Sequence, residues 1–594
     1  EKEIVVAIDF GSSRTGYAYA YKGRRWIYNC KFPGTGEKIK TLNEVIINDS
    51  YDVIEYGFKA KEILKSGNLK FNDQHYYRRI KMALYEDKKN IMSENDQKEI
   101  YIGLLIFSIL DYLKKHAIKA IIEETKGLGT QIDYETVNDK IRWILTVPAI
   151  WNEKIKDIMI NAAQEVGLVK QMDKTFFLAL EPEAASYYCL NEIKQLPEGE
   201  ELFNAPYIVC DLGGGTADIV CHKRVYKDGE EKLEELCVPR GGPFGSNEIN
   251  KAFEQKVLNL LFGENALDKL KEEFHESLKE DKDNKDKTNS KKNITKKKAF
   301  LGRYFKLQEN INESKISVDE NHAEKTFQID CSIFFKNNKQ LNMDKLIEEY
   351  NKKCKKEWMI NIDNCTNDND DKTIAFPCTI FYDLTKELTD KISQLILGIL
   401  SEVNNVGMIL YVGGFCNSEI AVNLIKNEIN KKYPTIKHFI PNNPDNAVVK
   451  GAVHYGFAPE RIMTRKAPYS LGINSYLRWS EEYNGKGKKI FIDNYGYACE
   501  NAFDCFISKG EDIPYKKPIE KAFKLQDCGG GVYCCKLDIY KSSKRKTLFI
   551  DEEGVEKIGK FDFIINDGDY KNDDNDFFSV TFELGGTFLN VTAF

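Results

Sequence analysis

Two stretches of the chain carry the same order of apolar and polar positions. Ile4-Val5-Val6-Ala7-Ile8 runs apolar into Asp9, turns through Phe10-Gly11-Ser12-Ser13-Arg14-Thr15, and returns through Gly16-Tyr17-Ala18. Tyr207-Ile208-Val209-Cys210 runs into Asp211, turns through Leu212-Gly213-Gly214-Gly215-Thr216, and returns through Ala217-Asp218-Ile219-Val220. Apolar runs bounded by glycine and hydroxyl residues read as strands, so each stretch predicts a hairpin with an aspartate at its mouth. A motif repeated once at domain spacing points to duplicated lobes facing each other. Helical spacing of apolar residues predicts helices over 102–122 and 154–166, and 141–148 reads as a buried strand stopped by Pro148. Met408-Ile409-Leu410-Tyr411-Val412, then Gly413-Gly414, then the run from Ser418 to Lys431 reads as strand, turn and helix. Residues 268–298 are almost wholly charged or polar and predict a solvated insertion or extended helix, and 361–372 a surface loop. From Ala467 onward short alternating strands such as Tyr469–Ile473 and Phe578–Phe582 predict a separate β-rich region.

Composition narrows the classes. A chain of 594 residues is too long for one core and splits into domains. The net charge of -6, with acids interleaved among the lysines, gives no footprint for nucleic acid. Fifteen cysteines lie scattered in apolar runs with no Cys-x-x-Cys pair, which predicts buried free thiols, and Cys528, Cys534 and Cys535 follow no zinc spacing. No run approaches the roughly 20 apolar residues that span a bilayer. Glu1-Lys2-Glu3 passes straight into a strand rather than a signal-peptide apolar core. These features predict a cytoplasmic protein without a membrane span.

The glycine turns carry the chemistry. Three glycines without Cβ atoms let backbone N–H groups close around an anion, and Thr216 adds a hydroxyl. Asp211 and Asp218 would repel a phosphate unless a cation or water lay between, and Mg²⁺ suits that place. Gly413 and Gly414 permit a flat ligand or its phosphates to lie against backbone. Each loop alone is also explained as a flexible turn; the two aspartate-headed loops together make a clamp. No Walker P-loop and no Rossmann glycine motif is present.

With Leu180-Glu181-Pro182-Glu183-Ala184-Ala185, Val412-Gly413-Gly414 and Asn443-Pro444-Asp445-Asn446-Ala447-Val448-Val449-Lys450-Gly451-Ala452, five motifs stand in the order of the seventy-kilodalton heat-shock proteins of the actin and sugar-kinase superfold. The chain resembles that family over residues 4–475. Gly16-Tyr17-Ala18-Tyr19, the Glu-Pro-Glu-Ala-Ala form and Gly241-Gly242-Pro243-Phe244-Gly245-Ser246 look like its atypical heat shock 70 kDa protein 12A/12B branch. The resemblance implies an α/β protein, an actin-like two-lobed ATPase domain of duplicated ribonuclease-H-like lobes followed by a β-rich C-terminal domain. Lobe I would span 1–204, lobe II 205–439, a return to lobe I 440–460, a linker 461–466, and a β-sandwich-like domain without helical lid 467–594.

It also implies roles. Asp9, Glu181 and Asp211 would hold the waters around Mg²⁺. Gly11, Ser12, Ser13 and Arg14, with Gly213, Gly214, Gly215, Thr216 and Gly242, would bind the phosphate end of ATP or ADP. Gly413, Gly414, Phe415 and Asp445 would sit by ribose and adenine. Lys81 would orient the attacking water, completing a catalytic set with Glu181, Asp211 and Thr216; Arg79 and Lys88 are its neighbours in sequence, and a solvated helix lysine is the plain alternative. Arg14, where the family has a small or aromatic residue, contacts a phosphate or points outward. Phe415 and Asn417 depart from the family's Ser and Arg. The adenine-clamping Glu-x-x-Lys-Arg helix is missing, with Arg303 and Lys306 its nearest candidates. The linker Ile462-Met463-Thr464-Arg465-Lys466 is basic rather than acidic and leucine-rich. The expected function is an ATP-hydrolysing chaperone-like switch that meets protein clients or signalling partners through its β domain. The alternatives are a nucleotide-sensing scaffold with little hydrolysis and a small-molecule kinase on the same superfold.

Overall fold

Both aspartate-headed motifs fold as antiparallel hairpins, and each hairpin seeds a sheet of the same design. Ile4–Phe10 pairs antiparallel with Arg14–Tyr21 and parallel with Ile141–Val147, beyond which Phe176–Leu180 continues the sheet in parallel. Tyr207–Leu212 pairs antiparallel with Ala217–Lys227 and parallel with Met408–Val412, beyond which Lys437–Phe439 continues in parallel. The order and directions match strand for strand, so the repeat seen in sequence is a repeat of topology. Strands buried on both faces need continuous apolar runs, and Ile4–Phe10 and Tyr207–Leu212 are buried at every position. The computed structural model describes residues 3–593 apart from 25, 37–38, 71–72, 128–131, 170–175, 197–198, 203, 284–286, 320–321, 338–339, 369–371, 484–486, 493–495, 516–517, 525, 528–531, 567–576 and 584–589.

One hydrophobic cluster joins the two sheets. Val5, Ala7 and Ile144 of the first and Val209, Leu410 and Val412 of the second close on the helices Glu181–Ile193 and Ala447–Phe457. Those helices cross at near backbone contact, since a Cβ on Gly451 would lie 1.7 Å from the Ala184 carbonyl oxygen. Only glycine permits that approach. The crossing fixes Glu181, at the start of its helix, relative to both hairpins.

The predicted helices form as Ile102–Gly127 and Glu153–Glu165, the second capped by Asn152, whose side chain accepts from the Ile155 N–H at 3.0 Å. The helix after Gly413-Gly414 is Glu419–Asn430, capped by Ser418. Most of the charged 268–298 stretch lies in the helices Ala266–Asp283 and Lys287–Ile316. The 361–372 stretch is less of a loop than expected: Thr366–Asn367 pairs with Lys372–Pro377 at a sheet edge, and Cys365 packs against the core. Most cysteines are free thiols, but Cys534 is disulfide-bonded, so the expectation of unpaired cysteines throughout fails there; Cys528 lies outside the described residues.

Beyond residue 467 two further sheets share a small cluster of Ile473, Leu537, Ile539, Val580 and Phe582. The basic run read as a linker is itself a strand. Ile462–Lys466 pairs parallel with Glu230–Glu235 and antiparallel with Asp512–Pro514, extending the second sheet. The sole helical element among the described residues after it is the turn Glu481–Tyr483. Among the described residues no helix is long and apolar enough to cross a membrane.

Candidate functional site

The two glycine-bearing turns meet. A Cβ on Gly214 would lie 1.9 Å from Ser13 Oγ, and one on Gly215 would lie 2.2 Å from Met82 Sδ and 2.8 Å from the Ser12 Cβ. Asn247 Nδ2 donates to Ser13 Oγ at 3.0 Å. The second turn is tightened by the Gly213 N–H, which donates to the Thr216 carbonyl at 2.9 Å. Its outer carbonyls are taken by the N–H groups of 245–247: Gly245 donates to Gly215, Ser246 to Gly213, and Asn247 to Gly214. Gly242 lies beside this turn, paired with Ala217.

Behind the turns stand four buried acids, Asp9, Glu181, Asp211 and Asp218. Burial, with the charges of Glu181, Asp218 and Asp9, pushes the Asp211 carboxyl well up. Burial raises Asp218 to about 6, although the Ile150 N–H donates to it at 3.2 Å. Glu181 is likewise pushed upward by burial, against the pull of Lys81. Acids crowded like this demand cations, and the chain brings two. Lys81 Nζ lies 2.5 Å from Glu181 Oε1, and Lys40 Nζ lies 2.5 Å from Asp9 Oδ2.

Lys81 rides the first turn of Ile80–Tyr85, a helix that Arg79 opens with a left-handed φ of 59°. Its ammonium sits 5.4 Å from the Trp151 ring centroid. It is therefore a buried, paired cation rather than a solvated helix lysine. Arg79 is exposed, and Lys88, also exposed, pairs with Glu86 at 2.6 Å.

The third element closes on the same place. Gly413, at φ 88°, donates its N–H to Pro444 at 2.9 Å, and a Cβ there would lie 2.5 Å from Asp211 Oδ1. Gly414 lies against Asp445, where a Cβ would come 3.0 Å from Oδ1. Arg14 Nη1 donates to Asp445 Oδ2 at 3.2 Å, a half-exposed pair that ties the first turn to the third element. The Phe415 ring is buried in the hydrophobic core. Of the two adenine-clamp candidates, the exposed Lys306 pairs with Asp330 at 2.6 Å. The same helix brings Lys315 to the Ser246 carbonyl at 3.0 Å and Asn312 Oδ1 at 3.1 Å, and burial pulls its ammonium down to about 7.

The expected metal ligands do not form a ready metal cage. Among the described residues no group of three or more His, Cys, Asp or Glu is arranged to hold an ion. Asp9 is bonded by Lys40 and, at 3.3 Å, by Thr146 Oγ1, and Glu181 is bonded by Lys81. Asp9 and Glu181 thus meet protein cations already, which suits contact with a metal through water better than direct ligation by these two. Sequence reasoning missed Lys40 and Lys315, which carry no motif. The one signal for Lys40 is Gly16, where a Cβ would lie 2.9 Å from the lysine Cγ.

No family model matches the chain. Heat shock 70 kDa protein 12A of Mus musculus is 25% identical to it, over 94% of this chain and 84% of that protein, and the Homo sapiens protein of that name is 24% identical over the same shares. Heat shock 70 kDa protein 12B of Homo sapiens is 23% identical over 96% of this chain and 85% of its own length. The homologues of this chain are thus heat shock 70 kDa proteins 12A and 12B, the divergent branch of the heat shock 70 family that its motifs resemble.

Proposed function

We propose that the chain is a heat shock 70-like nucleotide-binding protein, built as two actin-like lobes that close on ADP or ATP between the Ser12–Ser13 and Gly213–Gly215 turns. The observation that carries this reading is the contact of Gly214 with Ser13, which brings turns from the two matching sheets together. Lobe I would take 1–204 and 440–460 and lobe II 205–439. Ile462–Lys466 would pass the state of the lobes to a β-sandwich-like region that meets protein partners. A magnesium ion would be carried on the nucleotide's own phosphates, with Asp9, Glu181 and Asp211 reaching it through water.

Hydrolysis is favoured by Lys81, a cation held beside the acids where positive charge stabilises a transferred phosphoryl group. A second reading, a nucleotide sensor with little turnover, is favoured by the Arg14–Asp445 pair, which places a cation where family members have none.

Titration calorimetry with ADP tests the cleft. The unaltered chain binds, and Gly214→Val, which cannot sit against Ser13 without parting the turns, weakens binding at least about tenfold, as a lost charge-assisted contact to phosphate does. Equal affinity in the variant, or no binding by the unaltered chain, removes the nucleotide reading.

A further inference from the structure

Lys40 is the residue that the nucleotide reading leaves unused. Its ammonium is buried with Asp9 at the mouth of the first hairpin, the side chains being 8% and 5% exposed. Asp445 and Asp211 also act on it electrostatically. Asp9 thus already carries a buried cation, in the place where the family resemblance implies a metal and its waters.

The surroundings hold it there. Thr41–Leu42 pairs with Arg14 and Thr15 on the returning strand of the hairpin. Asn43 donates its side-chain amide to the Gly11 carbonyl at 2.7 Å and its backbone N–H to the Ser13 carbonyl at 3.0 Å. The segment is therefore stitched to the turn that faces the phosphates, and Gly16 leaves space for the lysine stem. The second buried cation, Lys81, is engaged by Glu181. An ammonium has three N–H donors, of which Asp9 takes one. Among the described residues Asp9 is the hydrogen-bond partner of this ammonium, and the remaining donors would serve a phosphate oxygen entering between the turns.

We propose that Lys40 is a built-in phosphate-binding cation, which lets this cleft hold a nucleoside polyphosphate with much reduced need of a divalent metal. The inference rests on the nucleotide reading above. A fixed ammonium beside Asp9 removes the repulsion that otherwise makes a metal obligatory, and it does so without the entropy of capturing an ion. It leaves any metal on the nucleotide as an addition rather than a condition of binding.

The experiment is an ADP titration of the full chain in Mg²⁺ and in EDTA, for the unaltered protein, Lys40→Met and Lys40→Arg, with a thermal melt of each. The unaltered chain is expected to keep its Kd in EDTA within about tenfold of that in Mg²⁺, and Lys40→Met to lose at least about tenfold more in EDTA than in Mg²⁺, the scale of one charge-assisted hydrogen bond. Lys40→Arg recovers part of the metal-free binding. A loss of binding on adding EDTA to the unaltered chain, beyond about a hundredfold, overturns the proposal whatever the variants do. So does metal-free binding by a folded Lys40→Met equal to that of the unaltered chain. Absence of binding in both buffers instead overturns the nucleotide reading, and this inference with it.

Discussion

Replacing Glu183 by alanine lowers the unfolding free energy by about 3–5 kcal/mol, the range for stripping one partner from a buried ion pair. Arg465 reaches Glu183 with two hydrogen bonds, Nε to Oε1 at 2.6 Å and Nη2 to Oε2 at 2.7 Å. The side chains are 7% and 2% exposed, so water cannot substitute for the carboxylate. Arg465 belongs to Ile462–Lys466, and Glu183 to the helix whose first residue, Glu181, holds Lys81. Loss of the pair should therefore loosen the strand that joins the second sheet to Asp512–Pro514, visible as faster amide exchange over 462–466.

The loss also depends on pH, with a sign set by Glu235. Burial, with the nearby charge of Glu183, raises the Glu235 carboxyl to about 8, although the Lys466 N–H donates to its Oε1 at 2.8 Å. A carboxyl raised on folding contributes stability that is present below its ordinary value and lost as pH rises through the folded one. The unaltered chain should thus weaken as pH rises through about 8, and Glu235→Gln should remove that slope. In Glu183→Ala the repulsion is gone and Arg465 seeks an anion, so Glu235 ionises earlier and takes its place in part. The deficit is then larger below about pH 6 than above about pH 8. A urea series showing the same deficit at both ends, or one within about 0.5 kcal/mol of zero, rules this account out.

The hairpins were legible because a buried strand and a glycine turn each leave a local mark. Ile4–Ile8 is apolar throughout, and Gly214 and Gly215 must lack side chains where Ser13 and Ser12 approach. Arg465 was legible only as a basic residue in a short linker. Its partner lies 282 positions away, and nothing local distinguishes a buried arginine from a solvated one. Lys40 was hidden for the same reason: the pairing of Thr41–Leu42 with the hairpin decides its place, and that pairing leaves no periodicity in so short a strand. Lys315 was hidden likewise: the face of the helix Lys287–Ile316 toward the Ser246 segment carries Asn312 and Lys315, and no motif marks either. Local pattern reports backbone state and burial; ion pairs between distant elements it does not report.

Lys81→Met is expected to slow phosphate release from ATP by about 10²–10³-fold, the effect of removing one fixed group that stabilises charge in a transition state. ADP affinity should stay within about threefold, because Lys40 and the turn N–H groups remain. The fold should survive for a specific reason. Burial already pushes the Glu181 carboxyl upward, so without Lys81 it takes a proton rather than standing as a bare charge. Methionine fills the space of the lysine stem beside Trp151. Binding kept and turnover lost would assign Lys81 to the chemistry and favour the hydrolysing switch. Unchanged turnover would return it to a structural partner of Glu181. If the unaltered chain binds ADP tightly and releases no phosphate, the buried Lys81–Glu181 pair holds the cleft in shape for sensing alone, and Lys81→Met should then alter nucleotide affinity instead of rate.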